Sequence, residues 1–133
     1  MKKYFFIIFV VSLSILSTAT AEQWACTADI NKGSVIKMNA IVNVGIEANL
    51  STYYKNEWAD DKVQVAQRRL VFVESESYQD VIGDSCNDQY YGIQEHYLNF
   101  SDKTKTAAYT YSWCDDDGGS GFESYNLICE QIK

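Results

Sequence analysis

Residues 36–50 read IKMNAIVNVGIEANL. Ile36, Met38, Ala40, Val42, Val44, Ile46, Ala48 and Leu50 are apolar, and the residues between them are mainly polar: Lys37, Asn39, Asn43, Glu47 and Asn49. A period of two sustained this long is a half-buried β-strand, or two strands meeting at Gly45; a helix would scatter the same residues around its circumference. Just upstream, Trp24, Cys26, Ala28 and Ile30 alternate as well, and Asn31-Lys32-Gly33-Ser34 supplies a tight turn between the two runs.

Outward from this stretch the pattern continues in short pieces. Residues 51–61 are polar and aromatic and read as a loop. Val63 to Val73 is strand-like, with β-branched residues at 63, 65, 71 and 73; Arg68-Arg69 breaks its alternation and marks a bulge or an exposed edge. Glu74 to Asp88 is acidic and irregular, with one helical turn expected around Tyr78 to Ile82. The last third reads as a meander: strands over 90–100, 106–114 and 122–132, separated by turns at 101–104 and 115–121. Short alternating runs split by turn residues, with no amphipathic helix, predict an all-β fold: about six antiparallel strands in a small barrel or sandwich.

The start of the chain sets the compartment. Lys2 and Lys3 precede an apolar run from Tyr4 to Val11, which continues with interruptions to Leu16 and ends at Ala19-Thr20-Ala21. A basic start, a short apolar stretch and a small-x-small site make a secretory signal peptide. Cleavage is expected after Ala21, so residues 1–21 are the signal and residues 22–133 form a single secreted or periplasmic domain. The apolar run falls short of the ~20 residues of a membrane-spanning helix, and no membrane association is expected once it is removed. Exported chains meet an oxidising environment, so Cys26, Cys86, Cys114 and Cys129 are expected to form two disulfides. The pairing favoured is Cys26–Cys129 with Cys86–Cys114. The first would join the two terminal strands of a closing sheet, and the second would join neighbours of one hairpin, within the ~7 Å that a disulfide spans.

The full chain has a net charge of −7; the leader contributes two lysines and no acids, so the remainder carries −9. With Arg68 and Arg69 as its only arginines, this chain lacks the basic footprint that a phosphate backbone requires, and nucleic acid is excluded as a partner. A basic protein partner suits it better.

Three features are candidates for a site. Asp115, Asp116 and Asp117 beside Gly118, Gly119 and Gly121 form an acidic hairpin tip, exposed and well placed for a basic partner. Its spacing fails the EF-hand pattern, so no metal is assigned there beyond weak calcium. Tyr109, Tyr111 and Trp113 lie two apart and share one strand face, either as core or as a stripe for a sugar ring or a protein interface. His96 is the only histidine. No nucleophile motif accompanies it, and it reads as structural.

The expectation is therefore a non-catalytic exported binding protein without a cofactor. One form of it inhibits or captures a basic secreted protein such as a lysozyme-like hydrolase, with opposite charge steering the encounter. Ser120-Gly121 followed by Tyr125 loosely resembles the inhibitory loop of small exported β-domains that inhibit lysozymes, with the spacing to tyrosine one residue too long. The alternative is a β-barrel that binds a small ligand or carbohydrate on its tyrosine-rich face.

Overall fold

Eight antiparallel strands close into a barrel in which each strand pairs with its sequence neighbours and the last returns to the first. The computed structural model describes residues 21–59, 62–81, 94–114 and 119–133. The strands are β1 (Gln23–Lys32), β2 (Val35–Asn43), β3 (Glu47–Lys55), β4 (Val63–Glu74), β5 (Ser77–Val81), β6 (Gln94–Ser101), β7 (Thr106–Cys114) and β8 (Ser120–Gln131). The all-β expectation holds. The number of strands is eight rather than about six, and the sheet is a barrel.

The stretch 36–50 is two strands turning at Val44 to Ile46. Gly45 sits at φ 76°, a left-handed conformation that glycine adopts without steric cost. The β1–β2 turn uses Gly33 at φ 60° and Asn31 at φ 48°. A register shift between Val35 and Lys37 puts Val35, rather than Ile36, on the buried side with Met38, Ala40 and Val42.

Two expectations needed correction. Residues 51–55 continue β3 instead of forming a loop, and Ser77–Val81 is a strand instead of a helical turn. In both, the inward positions are polar or hydroxylated: Thr52 and Tyr54 on β3, Tyr78 and Asp80 on β5. Hydropathy alternation fails there although strand geometry does not. Arg68-Arg69 makes neither a bulge nor a break, for β3 and β4 pair in continuous register from Glu47↔Val71 to Lys55↔Val63. The irregularity of β4 lies between Phe72 and Glu74, on the β5 side.

One half of the interior is an apolar core. Val42, Ala48, Leu50, Leu70, Leu98, Phe100 and Leu127 are buried in it, with Trp24 stacked at a tilt on Phe100, their ring centroids 5.4 Å apart. Tyr78 is also fully buried, and its hydroxyl accepts the N–H of Gly45 at 3.2 Å. The outward positions are mostly polar, as in Thr27, Asn39, Asn49, Asn99 and Asn126. Among the described residues no helix is long and apolar enough to cross a membrane.

The barrel closes where Cys26 stands directly opposite Cys129, and the two form a disulfide. This is the pairing expected from the terminal strands, and it is compatible with an oxidising compartment. The other expected pair, Cys86–Cys114, includes Cys86, which lies outside the described residues.

Candidate functional site

Toward the end of the barrel that holds the β1–β2 turn, the interior changes character. In an antiparallel pair, directly opposite residues share a face. The register therefore carries the inward face along one rung: Asp80 opposite His96, His96 opposite Tyr111, and Tyr111 opposite Glu123. The next inward rung toward the core places Leu98 opposite Tyr109 and Tyr109 opposite Tyr125. On β4, Arg68 lies opposite Leu50 and so faces inward.

Arg68, His96, Tyr109, Tyr111, Glu123 and Tyr125, together with Tyr54, line an open cavity of about 530 Å³. Met38 and Val35 supply an apolar side, and Lys32, Gly33 and Ser34 the rim. Small-ligand sites have this form: a concave pocket with aromatic walls and a few polar groups that fix orientation.

The polar groups are held in place. Arg68 Nη1 donates to Asp80 Oδ2 at 2.7 Å, an ion pair about one-third exposed on each side. His96 Nδ1 lies 2.6 Å from the Tyr109 hydroxyl. The Tyr125 hydroxyl donates to Glu123 Oε2 at 2.5 Å. The imidazole of His96 stacks on Tyr111 at 4.8 Å, and Tyr111 stacks on Trp113 at 5.3 Å, so three rings form a continuous ladder.

Burial shapes the protonation states. His96 is 5 % exposed; burial, with Arg68 nearby, lowers its pKa to about 4, and Asp80 opposes the shift only in part. The imidazole is thus neutral at ordinary pH. Burial raises the pKa of Tyr109, and burial together with Glu123 raises that of Tyr125, so both remain phenols. The site offers neutral hydrogen-bonding groups with one inward arginine and one inward glutamate. His96 Nε2 is buried with no hydrogen-bond partner among the described residues.

The structure places the sequence candidates unequally. Tyr109, Tyr111 and Trp113 do share a face, and it is the inner one: Tyr109 and Tyr111 line the cavity, and Trp113 closes the aromatic ladder. Tyr109 belongs to the buried core, and Tyr111 is partly buried against it. Asp115, Asp116 and Asp117 lie outside the described residues. Among the described residues no cluster of His, Cys, Asp or Glu is arranged to hold a metal. Tyr125 and Gly121, from the resemblance to an inhibitory loop, are strand residues of β8; Tyr125 is buried and Gly121 lies under the Trp113 indole.

Sequence reasoning missed Arg68, His96, Glu123 and Tyr54 as members of one site. His96 was legible by parity, since it shares its side of β6 with Leu98 and Phe100. The other three depend on register across the barrel. In comparisons with known proteins, no family model, curated protein or solved structure matches this chain.

Proposed function

We propose that this is an exported, non-catalytic binding protein that holds a small polar ligand in the open end of its barrel. The observation that supports it best is the cavity itself: about 530 Å³, walled by tyrosines, with an inward arginine and an inward glutamate. The protein-detected NMR spectrum, recorded with and without a small-molecule extract of the compartment into which the chain is exported, tests the reading. Shifts concentrated on Tyr109, Tyr111, Tyr125 and the Trp113 indole are expected. An unchanged spectrum, or shifts confined to outward residues, would sink it.

Capture of a basic exported protein is the second reading, favoured by the net charge of −7. Its expected contact, Asp115–Asp117, lies outside the described residues. A pull-down at low and high salt tests this reading, because a charge-steered protein partner is retained at low salt and lost as salt rises.

A further inference from the structure

We propose that the ligand is a small zwitterion of the amino-acid type, its carboxylate docked on Arg68 and its ammonium facing Glu123 and the tyrosines. This deepens the small-ligand reading and rests on it.

Topology carries the first step. Arg68 is on β4 and Glu123 on β8, and in a closed order of eight strands these are half a turn apart. Both line the same cavity. The cavity therefore has the Arg68–Asp80 pair on one wall and Glu123 on the other, with the rings of Tyr125 on β8 and of Tyr109 and Tyr111 on the neighbouring β7 beside Glu123.

The second step is what each wall has left to offer. Arg68 uses one of its five N–H donors on Asp80. A planar guanidinium with unused donors is suited to a carboxylate, which it holds through two parallel hydrogen bonds. His96, on β6 midway between the two walls, is buried and stacks on Tyr111. Glu123, by contrast, accepts only the Tyr125 hydroxyl and has no cationic partner among the described residues. A carboxylate beside tyrosine rings is suited to an ammonium group, which is attracted by both.

The third step is charge balance. Inside the barrel Arg68 is paired with Asp80, Glu123 has no cationic partner among the described residues, and Lys32 stands exposed at the rim. A singly charged ligand engages only one of the two walls. A zwitterion meets opposite charges at both ends and leaves the balance unchanged.

Calorimetric titration of the exported protein tests this, first with an equimolar mixture of the twenty common amino acids and then with each one separately. At least one is expected to bind. Its N-acetyl derivative, which lacks the cation, and its amide, which lacks the carboxylate, are each expected to bind about tenfold or more weakly, the loss of one charge-assisted contact. Arg68→Gln should abolish the preference over the amide, and Glu123→Gln the preference over the N-acetyl form; each variant's melting curve reports whether it is folded. Equal binding of all three forms would overturn the proposal. So would binding of glucose with no amino acid bound, a result that leaves the cavity reading standing. If no amino acid binds and the extract still perturbs the cavity residues, the zwitterion is wrong and the cavity is right. If neither occurs, both fail.

Discussion

Trp113 occupies the space in which a side chain at Gly121 would stand. A Cβ there would lie 2.2 Å from the indole Cζ2, so any other residue must displace the ring from the end of the aromatic ladder. Gly121→Ala is expected to cost about 1–3 kcal/mol, the usual penalty for overpacking, and to shift the tryptophan emission; an unchanged emission and melting temperature would show that the indole yields freely. His96 makes a second prediction at this scale. Its folded pKa, about 4, lies below the ordinary value of 6.5. In the window between the two, the unfolded chain binds more protons than the folded one. The contribution of His96 is therefore complete above about pH 6.5, falls as the pH drops toward 4, and levels off below that. Its full loss is on the order of 3 kcal/mol. Urea denaturation at pH 7.5 and pH 4.5 should show a larger fall in stability for the wild type than for His96→Gln, and equal falls would remove His96 from the account.

At the scale of elements, the polar half of the barrel explains which strands are irregular to the eye. β4 turns Arg68 and Leu70 inward, while Val63, Val65, Val71 and Val73 point outward and are half exposed. The β-branched residues that mark it as a strand mark its outer face. β5 is short but tied into the fold by Tyr78, whose ring meets Phe72 edge-on at 5.8 Å and whose hydroxyl accepts the Gly45 N–H of the β2–β3 turn. Tyr78→Phe removes that link and little else. It should cost about 0.5–1.5 kcal/mol, the net worth of one hydrogen bond, and speed amide exchange at Gly45. Unaltered exchange there would mean that the turn is held by its own backbone, including Ile46 N–H to Asn43 C=O.

For the whole molecule, closure is the event that creates the site, because only a closed sheet faces β4 toward β8. The seam between β1 and β8 has four residue pairs in register, from Trp24↔Gln131 to Thr27↔Ile128, far fewer than the nine between β3 and β4. The Cys26–Cys129 disulfide sits in this seam and spans 103 residues of sequence. A loop of that length confines the unfolded chain strongly, and the stabilisation is on the order of 4–5 kcal/mol in the chain-entropy treatment. Replacing both cysteines by alanine should therefore lower the melting temperature by many degrees. If the proposed ligand site is right, it should also weaken ligand binding, since the β1–β8 seam then keeps only its four paired positions and core packing. A variant that melts like the wild type would place the closure energy elsewhere in the barrel.

Local chemistry was enough to read the strands of the apolar half. Alternation at Trp24 to Ile30 and from Ile36 to Leu50, and turn residues at Asn31-Gly33 and Gly45, act over a few residues and are visible in the chain itself. The same local rule placed Tyr109, Tyr111 and Trp113 on one face. It also paired Cys26 with Cys129, because terminal strands meet when a sheet closes. The rest needed the tertiary structure. A polar residue facing a cavity and a polar residue facing solvent look alike in sequence, so Thr52, Tyr54, Tyr78 and Asp80 concealed their strands, and Arg68 read as a break. That Arg68, His96 and Glu123 line one cavity follows from register summed around eight strands. No single segment contains that information, because the distance between two walls is set by closure and not by neighbours along the chain.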